Sequence, residues 1–552
     1  MMMRKRAIAA FAVIIGALLV IAGLTGCGGK DEDNPYGPHD DYTEETLEGG
    51  FVVWKYEDGR RELVRYDGTA TEVTIPDGIT KIESWVFSLN GSITKVTIPD
   101  SVTAIIEDFG FSSCKALETV IIGDGVTKIG SFAFGNCTAL ATLSIGDGVK
   151  EIGDSAFYSC AKLTSVTIPD SVVSIGELAF ALGESHSHPN NVDEEYEKKC
   201  PKTALEKVVL GKGLKSMGRG AFENCCYIKT VEHRGTLKDW CELDKGENLL
   251  TFAESVTIPV GEGKTVDILA DTDDFSIDIP EGTTKIGSTS FYNAKHLTGV
   301  TIPASVKSIG DDAFNGTGLS AVPVLSEGLT SIGKRAFYGC FSMGGKLVIP
   351  KSVKEVKDFA FYDCNIITDL EIKNGDIDLG ISALFGYNSK LQTAILPEGL
   401  EEIPDSMFDS YSNLTTVKLS AGLKKIGRNA FRGCESLTDI TIPEGTEEIG
   451  YSAFAGCKAL NEITIPASMK SIGIGAFNAC YVFGPNTTFI NIKFEKTDGW
   501  YMCDNDSSYS PDYSTETAMD QTELSDPEKM GERLSGTGYV ENSYAGKWLY
   551  RK

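Results

Sequence analysis

Histidine is scarce in this chain, with five in 552 residues. There is no Ser/His/Asp grouping, no glycine loop able to cradle a phosphate and no zincin motif. An enzyme would therefore need a site assembled across distant residues, and the sequence gives no sign of one. Positive charge is also in deficit: 51 Lys and Arg stand against 78 Asp and Glu, for a net charge of −27. A surface this acidic repels nucleic acid and anionic membrane, which are polyanions, and it argues against either as a direct partner. Long apolar runs are missing as well. The longest, Ala7 to Gly23, falls short of the roughly 20 strongly apolar residues that a membrane span needs.

That run has a different use. Arg4, Lys5 and Arg6 precede it and Leu24-Thr25-Gly26-Cys27 ends it, the layout of a charged n-region, an apolar h-region and small residues before a cleavage point. The closing string resembles the bacterial lipobox, which implies a signal peptide over 1–26 and Cys27 as the lipidated first residue of an exported protein. The membrane would then be touched through the lipid alone. Gly28 follows, so no aspartate retention signal stands after the cysteine. From Gly28 to Glu48 there are eight carboxylates, one lysine and almost nothing apolar. Such a stretch cannot bury enough surface to offset its ordering entropy, so 27–50 is expected to be a flexible linker reaching about 25 Å.

The body repeats. Phe111, Phe134, Phe157 and Phe180, then Phe291, Phe314 and Phe337, then Phe408, Phe431, Phe454 and Phe477 stand in steps of 23. Phe87, Phe222, Phe361 and Phe385 join with slips or an insertion. A glycine lies four before most anchors, as at Gly130, Gly153 and Gly450, allowing positive φ or close backbone approach. A proline lies eleven before many, as at Pro169, Pro303 and Pro466, where it can end a strand. Before the proline, β-branched residues alternate with polar ones, as in Leu163-Thr164-Ser165-Val166-Thr167-Ile168, predicting a short strand with one buried face. Ala-Phe is expected on a one-turn helix. One unit cannot cover its own apolar face, so units must stack into a parallel sheet, about 17 coils extending roughly 80 Å at ~4.8 Å per strand.

These offsets resemble the Treponema-type, or BspA-like, leucine-rich repeat from about Glu72 to Tyr481. The resemblance implies a leucine-rich repeat solenoid, mainly β, with no cofactor and no enzyme activity. It also implies a cell-surface role in which the scaffold recognises extracellular or surface proteins, as adhesins do toward host matrix, host cells or other bacteria. A glycan-binding or envelope-scaffold role is the alternative. Lys357, Ile381 and Pro404 depart from the glycine, and Val322-Pro323-Val324 puts proline inside a strand, so irregular coils are expected there.

The repeat also sorts the remaining features. Nine cysteines follow the anchor by three (Cys114, Cys137, Cys160, Cys225, Cys340, Cys364, Cys434, Cys457 and Cys480), a stacked column of buried structural thiols. Cys200, Cys226, Cys241 and Cys503 lie off this lattice, and disulfides among them stay open. His186-Ser187-His188, in an insertion over 181–201, reads as a solvated loop first and a zinc site second. Residues 51–71 read as an N-terminal hairpin cap, 223–283 as degenerate coils and 482–552 as an aromatic-rich C-terminal cap. The outward strand position gives the candidate ligand surface: Thr97, Ser144, Thr167, Thr301, Glu371, Lys418, Thr441 and Thr464, with Ile121, Val209 and Ile395 between them.

Overall fold

In the computed structural model, the described residues are 42–103, 105–183, 204–245, 249–250, 253–261, 263–270, 274–380, 384–386, 390–482, 488–505, 511–519, 521–535 and 548–551. The expected signal peptide, Cys27, most of the linker and most of the 181–201 insertion, with His186, His188 and Cys200, lie outside them. The chain winds into a parallel β-solenoid of about 16 turns. Each regular coil supplies two strands. The first follows the alternating segment, as in Lys95–Ile98, whose Val96 and Ile98 are buried while Thr97 is half-exposed. The second has two residues, as in Lys128–Ile129, and pairs in parallel with Glu151–Ile152 of the next coil.

Between the coils the anchors stack. Successive Phe rings lie 4.6 to 5.6 Å apart with planes within 12° of parallel, and one continuous apolar core runs the length of the body. That spacing is close to the inter-strand distance, so in the regular coils each covers the ring of its neighbour. The glycine four before the anchor acts by close approach. A Cβ on Gly153 would stand 2.8 Å from the Gly130 carbonyl carbon and the Ser131 nitrogen. At the coil of Phe385 the glycine is not lost to Ile381 but slipped by one, because Gly380 sits against the Asp358 nitrogen in the same way.

The Ala-Phe segment is not a helical turn. Phe132 and Asn136, two residues either side of Phe134, have φ of 54° and 62°, and the same two offsets are left-handed in most coils. The amides of Phe132, Phe134 and Asn136 donate to Asp154, Ala156 and Tyr158 of the next coil, at 2.9, 2.8 and 2.7 Å. Those of Ala133, Gly135 and Cys137 donate within their own coil, to Gly130, Phe132 and Phe134. Alternating left-handed residues aim every second N–H along the stack, which satisfies buried amides that a one-turn helix would leave without partners.

The ends and the middle also depart from expectation. The N-terminal cap has three antiparallel strands, Tyr42–Leu47, Phe51–Tyr56 and Arg61–Tyr66, and the last pairs in parallel with Lys81–Ile82. Tyr42–Leu47 thus corrects the C-terminal part of the expected linker: its side chains are largely exposed, and it is held by backbone pairing together with Tyr42 against Trp54 and Leu47 against the core. Residues 223–283 keep the stack as irregular coils, with Thr230–His233 and Ser255–Gly261 extending the parallel ladder of Lys207–Leu210. Helix Leu237–Glu242, begun by a Thr236/Asp239 capping box, replaces the phenylalanine turn, and a hairpin of Ser255–Gly261 and Lys264–Asp267 follows. The Gly287 amide donates to the Cys241 carbonyl at 2.6 Å, so the next coil sits directly on the helix. Inside this coil Lys245 is fully buried, its ammonium donating to the Trp240 and Leu243 carbonyls and to Ser290 Oγ at 2.6, 3.3 and 3.0 Å. At the C-terminal end, Trp548–Arg551 pairs antiparallel with Ser471–Ile472 of the last coil and with Trp500–Asn505.

Candidate functional site

Side chains alternate along each strand, so the residue between the two buried positions must face water, and parallel register then lines these residues up from coil to coil. Thr97 stands between Thr74 and Ile121, and Ile121 pairs with Ser144. Thr167 continues through Val209 and Glu232 to Thr257. Thr301 pairs with Asp278, Glu371 lies between Val348 and Ile395, Ile395 pairs with Lys418, and Thr464 pairs with Lys493. By backbone pairing the predicted column falls into five ladders within the one stacked body. Thr97 and Ser144 share one ladder, and Glu371 and Lys418 share another. Thr441 is exposed next to a single bridge, Thr416 to Asp439. Glu232, Thr257, Asp278 and Lys493 belong to the surface and went unread, whereas Val209 is buried and does not.

Charge on this face is paired across coils. Lys346 lies 2.6 Å from the Glu371 carboxylate, and its hydrogen bond holds the Glu371 pKa below the ordinary carboxylate value. Lys95 pairs with Glu72 at 3.5 Å and Lys207 with Glu232 at 3.2 Å. Glu371 and Lys418 also line one concavity of about 450 Å³, with Lys351, Lys373 and the half-exposed Ile395. The face thus offers hydroxyls, paired charges and branched aliphatics on a rigid backbone, which suits binding.

The cysteines are structural in position. Each of the nine donates its thiol to the carbonyl of the preceding anchor, as Cys137 does to Phe111 at 3.2 Å and Cys480 to Phe454 at 2.9 Å. Where the column holds tyrosine instead, Tyr411 Oη donates to the Phe385 carbonyl at 2.6 Å. Burial pushes the thiols of Cys160 and Cys225 up to about 12. Cys241 carries a free, buried thiol, Cys503 is buried, and Cys226 is disulfide-bonded. Among the described residues no three His, Cys, Asp or Glu converge as metal ligands, and no helix is long and apolar enough to cross a membrane.

A second surface went unread. Two residues before their anchors, Trp85, Phe109 and Phe132 stack on the turn face, with ring centroids 4.2 and 5.2 Å apart and planes 4° and 9° from parallel. The signal was present as an aromatic at the same offset in Trp85-Val86-Phe87, Phe109-Gly110-Phe111 and Phe132-Ala133-Phe134.

The model of the BspA type leucine-rich repeat region matches in six overlapping copies, over residues 65–186, 104–229, 196–241, 271–380, 319–438 and 401–496. Among solved structures, a leucine-rich repeat protein from Bacteroides ovatus is similar at 26% identity, over 81% of this chain and 92% of that one, with a TM-score of 0.36. A leucine-rich cell surface protein from Faecalibacterium prausnitzii matches at 21% identity, over 84% and 97% of the two chains, with a TM-score of 0.28. The pneumococcal vaccine antigen PcpA matches at 20% identity, over 75% and 92%, with a TM-score of 0.34. No curated protein matches.

Proposed function

This chain belongs to the BspA type leucine-rich repeat family, and from that premise we propose that it is an exported lipoprotein, anchored through Cys27 and displayed at the cell surface to recognise proteins. Its partners are surface or matrix proteins of a host or of other bacteria, bound without catalysis, metal or cofactor. The observation that carries this reading is the outward strand face, where Thr97, Ser144, Thr167, Thr301, Glu371, Lys418, Thr441 and Thr464 are exposed or half-exposed on coils held rigid by the stacked core. A flat ladder of hydroxyls and charges suits an extended polypeptide, because affinity is then gained from many small contacts whose ordering cost the scaffold has already met.

An array of purified matrix proteins and polysaccharides, probed with the full chain and with a Thr97→Arg, Lys418→Glu variant, tests the reading. Binding to a protein that drops at least tenfold in the variant supports it. Binding confined to polysaccharides overturns it in favour of a glycan-binding or envelope-scaffold role. For the anchor, Cys27→Ser expressed in a bacterial host should move the chain from the membrane fraction to the soluble exported fraction and abolish incorporation of labelled fatty acid.

A further inference from the structure

We propose that the stripe of Trp85, Phe109 and Phe132 is a docking surface for a protein partner that presents apolar side chains bordered by lysine or arginine. It lies on the turn face, away from the strand ladders, and does not rest on the reading of those ladders.

The position itself is the first argument. Two residues before the anchor the backbone is left-handed in every described coil, and most other coils hold a small or polar residue there, as at Ser155, Gly220, Ser406, Asn429 and Ser452, with Leu178 and Phe359 as isolated exceptions. A bulky aromatic side chain is disfavoured in this conformation, yet Trp85, Phe109 and Phe132 adopt φ of 68°, 62° and 54°. Burial does not offset the strain: Trp85 is 40% exposed, and Phe109 and Phe132 are half-exposed. Leu89, 56% exposed on the first coil, extends the patch. Neither local preference nor the core explains three aromatic rings in three consecutive coils.

The ring geometry selects the class of partner. Phe109 is sandwiched between Trp85 and Phe132, so its faces are covered and its edge is what solvent meets. A sugar ring stacks on an aromatic face, and the central ring of this stripe has none to offer. Ring edges instead pack against aliphatic groups and against the faces of other aromatics, the contacts that dominate protein interfaces. Charge sets the border of the partner. Glu83, Glu107, Asp108 and Asp154 are neighbours of these rings in sequence, and Lys81, 2.7 Å from Glu83 and 3.0 Å from Glu107, and Lys128, paired with Glu151 near Glu107 and Asp108, balance only part of that charge. A basic rim complements them.

The test pans random twelve-residue peptides displayed on phage against the full chain, then measures the synthetic consensus peptide against wild type and a W85S/F109S/F132S variant. Serine is the residue that Ser155, Ser406 and Ser452 already place at this offset, so the variant should unfold at no lower temperature than wild type. The expected result is a consensus combining aliphatic or aromatic residues with Lys or Arg, binding at least tenfold more weakly to the triple variant and unchanged by Lys418→Glu. If the triple variant fails to fold, Trp85→Ser alone, at the most exposed ring, should weaken binding at least threefold. The proposal is overturned by no enrichment, by an acidic consensus or by equal binding to wild type and variant. It is also overturned if the substitutions abolish binding only to arrayed glycans or to vesicles of anionic lipid.

Discussion

His233 ends the strand Thr230–His233 directly opposite Leu210, in an inward column where Ile98 and Ile122 stand in other coils. It is 1% exposed, neither ring nitrogen has a hydrogen-bond partner, and the ring lies 5.6 Å from that of Trp240. Burial, helped by the nearby Lys245 and Lys215 charges and opposed by Asp239, pulls its pKa from 6.5 down to about 4. A basic group with a depressed folded pKa binds fewer protons when folded than when unfolded between the two values. Stability therefore rises with pH from about 4 to 6.5 and is lost as the solution is acidified through that range. Between pH 7.5 and 5.5 the loss from His233 is about 1.3 kcal/mol, and the range stays above the isoelectric point near 4.7, where solubility would fall. Lys245, drawn down to about 7 by burial, titrates in both proteins alike, as do the carboxylates. Comparison with His233→Leu therefore isolates the imidazole. Chemical denaturation should show the variant gaining about 1.3 kcal/mol on wild type over that interval. Parallel profiles, or a His233 ring that titrates at 6.5 by NMR, would refute the reasoning.

Phe157→Ala removes a fully buried ring from the middle of a stack and should cost about 3–5 kcal/mol in denaturant unfolding, with the rings of Phe134 and Phe180 losing their neighbour. Tyr411→Phe keeps the ring but leaves the Phe385 carbonyl without its hydroxyl donor, a loss of about 1–2 kcal/mol in the same assay. The column thiols should resist maleimide in the native protein and react fully in denaturant, as read by intact mass. Rapid labelling of Cys137 or Cys457 under native conditions would show that the column is open to solvent.

Much of this architecture was legible because a stacked repeat writes its core as a period. Phe134, Phe157 and Phe454 are buried where the 23-residue spacing puts them, and the column from Cys114 to Cys480 is a set of buried thiols, as its register implied. The left-handed residues were not legible. Trp85 and Phe132 have no local preference for that conformation, which the hydrogen bonds of the next coil impose. Nor did composition reveal the strand Tyr42–Leu47, which pairs through its backbone and buries little. On the candidate surface, Thr97, Ser144, Thr167, Thr301, Glu371, Lys418, Thr441 and Thr464, read from alternation, are exposed or half-exposed. Alternation could not show that the ladders break at the hairpin of Ser255–Asp267 or that Val209 is covered.

The thiol ladder has a direction. Every sulfhydryl in it reaches toward the N-terminal side, to a carbonyl belonging to the coil made before its own. As the chain emerges in order of synthesis, each new cysteine thus finds its acceptor already waiting.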